Sequence, residues 1–239
     1  MMRVYTLTSF LIRDLSRSLA SVVPLASTLA FGLIAFEYGM DQSQFITVAG
    51  MGMGAICLAT VLVSASRANR ATSFLLVTKL HRRSELLAAL ALGSLVITTI
   101  LSLVMTVANL LAGRLSLEFP TALWIVPTWL PLWLLAAALA LPLSGLVARG
   151  GSHLVGYLLL AGLLIANERR AFLARHGLDW FSRVVETILW PVNTLLDRAS
   201  SGVHNLDYLL AWALTCAYAF LLFGLAASLF DDKDLLWSE

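Results

Sequence analysis

Six stretches of the chain contain no Asp, Glu, Lys or Arg: 18–36, 42–66, 86–113, 119–148, 150–167 and 208–230. A charge at the bilayer centre costs about 2.5–3.5 kcal/mol on insertion scales, and about 20 apolar residues cross the hydrocarbon core. Leu, Ala, Val and Ile dominate each stretch, without the alternation of a membrane β-strand. The pattern predicts an all-α polytopic membrane protein, one transmembrane domain over 1–239. Its six spans fall at about 19–36, 44–66, 86–112, 121–147, 152–167 and 208–230. The fifth opens on Gly150, Gly151, Ser152 and His153, so its apolar part is short and a partial crossing stays open. The fourth carries Pro120, Pro127, Pro131 and Pro142. It is expected to kink, with the carbonyls its prolines strand taken up by neighbouring helices.

The flanking segments are patterned differently. In residues 1–18, Val4, Leu7, Leu11 and Leu15 recur at helical spacing, while Arg3, Thr6, Arg13, Asp14 and Arg17 mostly take the other side. This predicts an N-terminal interfacial helix, with a plain extension of the first span as the alternative. Residues 168–207 hold ten charges, which excludes a further span there. Trp180, Phe181, Val184, Val185, Ile188 and Leu189 recur at helical spacing until Pro191 interrupts. One or two amphipathic helices, re-entrant into a leaflet between spans five and six, are expected.

Composition agrees with the pattern. The 239 residues are 59% hydrophobic and 13% charged, and mean hydropathy is +0.86. Soluble domains run near 45–50% apolar and about 25% charged. A net charge of +2 without a basic block excludes a nucleic-acid binder. Cys57 and Cys216 lie in apolar runs and suggest neither a disulfide framework nor a metal site. Orientation follows from the basic residues. With six spans and both termini cytoplasmic, Arg3, Arg13, Arg17, Arg67, Arg70, Lys79, Arg82, Arg83, Arg149 and Lys233 lie inside, while the short outer loops hold only Arg114. Trp124, Trp129 and Trp212 then fall toward the outer ends of their spans, at interfacial depth.

Little in the chain suggests catalysis. There is no phosphate loop, and His81, His153, His176 and His204 are scattered without metal spacing. Ser144-Gly145 with His153 lacks the Gly-x-Ser-Gly of an intramembrane serine protease, since position 142 is Pro. Gly50 and Gly54 form a small-x-x-x-small face for helix packing. In span three, Thr98, Thr99, Ser102, Thr106 and Asn109 are neutral and polar. They are read either as packing glue or as the lining of a translocation path. The absence of buried charge disfavours an ion-coupled carrier. The 67–85 segment between spans two and three stands apart. Apolar Phe74-Leu75-Leu76-Val77 sits between Arg67 and Arg70 on one side and Lys79, Arg82 and Arg83 on the other. A helix docked on a protein partner and a helix on anionic lipid both fit.

Thr72, Leu75, Leu76, Arg83, Ser84, Glu85, Leu86 and Leu87 resemble the pattern of ABC-2 type permeases: Thr, a Leu-Leu pair, a turn, a basic residue, Ser and Glu-Leu-Leu entering the third span. The chain departs from that family at Arg67, Asn69 and Arg70, where an acidic residue is common, and at Lys79-Leu80, where Pro is common. The six-span layout with both ends inside is similar as well. The resemblance implies a membrane subunit of an exporter-type ABC transporter in the plasma membrane, the bacterial inner membrane. It is not itself an enzyme, since ATP and Mg²⁺ belong to a cytoplasmic P-loop ATPase partner. A second copy or a related permease completes the path through the lipid, and no nucleic acid is involved. It implies further that 67–85 is the coupling segment, which includes Thr72 and Lys79, with Phe74, Leu75 and Leu76 as its apolar anchor and Arg82, Arg83 and Glu85 at its rim. A non-transporting structural or assembly subunit is the competing expectation.

Overall fold

The computed structural model describes residues 2–38, 40–68, 83–147 and 179–231. The predicted fifth span, residues 168–178, and Thr72, Phe74, Leu75, Leu76, Lys79 and Arg82 lie outside the described residues. Every regular element among the described residues is a helix. Helix α1 is Met2–Ser16, and a 3₁₀ turn Leu19–Ser21 leads into α2, Val22–Tyr38. The continuous helical run Gln42–Ala68 is α3. Then follow α4 (Ser84–Leu111), α5 (Phe119–Leu143), α6 (Asp179–Ser200) and α7 (Leu206–Asp231). Five of these regions are long and apolar enough to cross a membrane: Leu19–Glu37, Gln42–Ala68, Ser84–Leu111, Thr121–Leu143 and Leu206–Asp231.

Local chemistry sets the helix ends. Asp41 caps α3, its Oδ1 accepting from the Gln44 amide at 2.7 Å and the Ser43 hydroxyl at 2.9 Å. Those donors, the backbone one foremost, hold its carboxyl below the ordinary carboxylate range. Helices α4 and α6 both end in a Schellman turn. Gly113 and Gly202 take φ +66 and +70, and the amides of Arg114 and Val203 reach back to Asn109 and Arg198. Helix α5 stops at Leu143, short of the expected 147. Ser144 turns extended just after Pro142, and Leu146 and Val147 are buried in a turn instead. Helix α6 is one helix through Pro191, because a single missing N–H does not break 22 residues.

The core centres on α3, α4, α5 and α7. Along α4, Leu87, Ala91, Ser94, Thr98, Ser102, Met105 and Asn109 face inward at three- and four-residue spacing. Leu92, Val96, Ile100, Leu103 and Val107 are exposed, the surface a lipid-facing helix presents. Helix α1 packs along α4, with Thr8 and Ile12 against Gly93.

Tryptophans fasten the bundle. Trp129 and Trp133 of α5 donate their indole N–H to the carbonyls of Ile46 and Gly50 in α3, at 2.9 and 3.2 Å. The same four-residue step on both helices makes α3 and α5 parallel neighbours. Gln42 joins their first turns, donating to Thr121 Oγ1 and accepting from the Glu118 amide. The indole of Trp212 in α7 donates to the carbonyl of Pro127 at 2.9 Å. Pro131 leaves that carbonyl without its helical donor, so the expectation for stranded carbonyls holds here. Trp129 and Trp212 therefore serve as fasteners between helices; neither indole is left free for the interface. Gly50 and Gly54 also behave as predicted, lying against Trp129 and Trp133 respectively.

Candidate functional site

The bundle has two chemically different ends. One gathers the C termini of α3 and α7, the N terminus of α4 and the last turn of α1. Arg67 donates through Nε and Nη2 to Asp14 Oδ2, at 3.0 and 2.7 Å. This ties the end of α3 to α1. Arg83 donates through Nη1 to the carbonyls of Phe230 and Asp231, at 3.0 and 3.2 Å, and its guanidinium lies 5.9 Å from the Phe230 ring centroid. The last carbonyls of a helix carry partial negative charge, so a guanidinium there is well placed. The two arginines border residues 69–82, and each is anchored in a different helix. Glu85, in the first turn of α4, has its Oε2 buried. Of the predicted coupling residues, Arg83 and Glu85 are thus brought to this end.

Replacing Arg83 with Ala removes two charge-assisted bonds and a cation–π contact. We expect a loss of about 1–2 kcal/mol, given their partial exposure. Hydrogen exchange at amides 226–231 checks it: these should exchange faster in the variant, with the amides of α5 unchanged.

The opposite end holds Glu37, Asp41, Glu118, Asp197 and Asp207 with Arg114 and Arg198. Arg114 sits 5.1 Å from the Phe36 ring centroid. His204 stacks on Trp124 at 4.1 Å and meets Tyr208 edge-on at 4.9 Å. Tyr208 and Thr128 share a hydrogen bond of 3.0 Å. Burial against these rings holds the His204 imidazole below its ordinary pKa, hence largely neutral at pH 7. Nothing in the sequence pattern flagged this cluster, because its members come from α5, α7 and the turn that precedes α7.

The polar series of α4 divides. Thr98, Ser102 and Asn109 are buried, Thr106 is half-buried, and Thr99 is exposed. Ser102, Thr106 and Asn109 donate to carbonyls of their own helix, at Thr99, Ser102 and Met105, and Thr99 donates to Leu95. Within this series the Thr98 hydroxyl is buried without a hydrogen-bond partner, as is that of Ser94 one turn earlier on the same helix. Among the described residues no group of three or more His, Cys, Asp or Glu could hold a metal ion. The two cysteines are free, Cys57 buried and Cys216 half-buried.

No family model, curated protein or solved structure matches this chain. The chain stands as an all-helical, multi-pass membrane protein on the strength of its own helices.

Proposed function

We propose that the chain is the membrane-spanning permease subunit of an ABC-type exporter, working with a separate P-loop ATPase. The observation that carries this reading is the pair of anchors bordering residues 69–82. Arg67 ties one flank to α1 and Arg83 ties the other to α7. A force applied to the intervening segment is delivered at once to α1, α3, α4 and α7, which a lever for an ATPase requires and a lipid-resting loop does not. Phe74, Leu75 and Leu76 form the apolar anchor, with Arg82, Arg83 and Glu85 at its rim. ATP-driven closure of the partner then biases a bundle with two packings.

Topology supports the six-span form. Helices α3, α5 and α7 run parallel, so α5 finishes at the arginine end and α7 begins at the opposite one. Between Ser144 and Leu206 the chain must return from one end to the other, and α6 packs at the second end against the first turns of α3 and α7. A sixth crossing at about 152–167, as the sequence pattern expects, would make that return. The arginine end collects Arg13, Arg17, Arg67 and Arg83 beside Asp14, Glu85 and Asp231, and the opposite end has Arg114 and Arg198 among more numerous carboxylates; with the basic 69–82 segment, this supports the reading that both termini face the cytoplasm across a bacterial inner membrane.

The competing reading is an assembly subunit. It draws support from the polar side chains of α4, most of which bond to carbonyls of their own helix, as packing residues do. In the transporter reading the path lies between two permease chains. Affinity purification from the native membrane separates the two readings. A P-loop ATPase recovered at fixed ratio is the expected result. Other integral subunits at fixed ratio, with no ATPase, would establish the assembly subunit.

A further inference from the structure

The second half of α6 carries a polar face whose partner is only half accounted for. Trp190, Thr194, the adjacent Asp197 and Arg198, and Ser201 just past the helix end follow one another along one side of it. With Asp207 from the first turn of α7 they line a cavity of about 390 Å³. Small-molecule sites begin near 300 Å³. The buried side of α6, at Val185, Leu195, Leu196 and Ala199, is already spent on the bundle.

The lining is uneven in charge. Arg198 is matched by Asp207 at 3.1 Å, and Asp207 also accepts from Asn205 at 3.3 Å. The Asp197 carboxylate, the Trp190 indole and the Thr194 hydroxyl have no such partner among the described residues. Two carboxylates against one guanidinium leave the cavity net negative. An uncommitted carboxylate and an exposed indole attract a cation by charge and by ring quadrupole together, and Trp is the best ring for it. A bare divalent ion would need six or more oxygens, which this lining does not converge. A weakly hydrated organic cation needs only the ring face and the counter-charge. The cavity also sits where the apolar run of α7 begins.

We propose that this cavity binds an organic ammonium group, primary or quaternary, with Trp190 as its platform and Asp197 as its counter-charge. The ammonium comes from a zwitterionic lipid headgroup or from a free amine. The assignment is independent of the transporter reading.

The test follows the Trp190 indole signal of the full chain in a detergent free of ammonium, with Trp190→Phe identifying the signal by its loss. The probes are choline, dihexanoylphosphatidylcholine below its micelle concentration, and the matching phosphatidylglycerol. Choline and the phosphatidylcholine should shift the signal saturably, and the phosphatidylglycerol should not. Asp197→Asn should weaken binding about tenfold, and Arg198→Gln, which frees Asp207, should tighten it severalfold. A phosphatidylcholine at least about tenfold tighter than choline names a lipid as the source, and equal affinities name a free amine. An anion site predicts the opposite signs for the two variants. Tightening by Asp197→Asn, an equal response to phosphatidylglycerol, or no saturable shift up to about 10 mM would overturn the proposal.

Discussion

Gly50→Ala should lower the thermal midpoint of the detergent-solubilised protein, and Gly54→Ala should not. Both glycines lie on one face of α3, four residues apart, and both look toward α5. A Cβ on Gly50 would come within 2.6 Å of Trp129 Nε1 and 2.7 Å of its Cδ1. The indole cannot simply swing away, since it is buried and donates to the Ile46 carbonyl. Making room means giving up that bond or parting α3 from α5. Overpacking of this kind costs about 1–3 kcal/mol, with a lost interhelical hydrogen bond worth about 0.6–1.7 kcal/mol in membrane proteins. A Cβ on Gly54 would meet Trp133 Cδ1 at 3.7 Å, an ordinary contact. The general gain of Ala over Gly in a helix, about 0.5–1 kcal/mol, then makes that variant neutral or slightly more stable. Equal midpoints for the two variants would mean that α3 and α5 do not meet through these indoles.

The second large effect concerns the partner. Changing both Leu75 and Leu76 to Asp should abolish recovery of the ATPase in affinity purification, while the bundle keeps its unfolding midpoint. Two buried leucines at an interface centre are worth about 1.5–3 kcal/mol each, and leaving carboxylates there costs more. Together that reaches a hundredfold or greater loss of affinity, on the order of 3–6 kcal/mol. A variant of Arg82, assigned to the rim in this reading, should act mainly on the rate of association and its salt dependence. A double Leu variant that retained its full complement of ATPase would show that the segment is not the docking element.

The membrane-crossing helices were legible because one physical rule, the cost of charge in hydrocarbon, marks them residue by residue. The boundaries of α3, α4 and α7 fall within two residues of the expected spans. Hydropathy missed the end of α5, because Leu146 and Val147 are as apolar as a span and are buried in a turn instead. The small face at Gly50 and Gly54 was readable from spacing. What it receives was not, since the register between α3 and α5 is set by where Trp129 and Trp133 find carbonyls. The same holds for the anchors. Arg67 and Arg83 were visible as basic residues, but their partners lie 53 and 147 positions away. Interhelical pairing of that range has no signature in a single sequence. The α4 hydroxyls show the converse: their spacing suggested a path, while most of their bonds stay within the helix.

The most direct test of the coupling assignment is a photo-crosslinker placed at Phe74 in native membranes, with a matched control at Leu209 near the start of α7. The account predicts a single dominant adduct from position 74, to a P-loop ATPase, and none from position 209. An adduct to lipid alone from position 74, or the same ATPase captured from both positions, would contradict it.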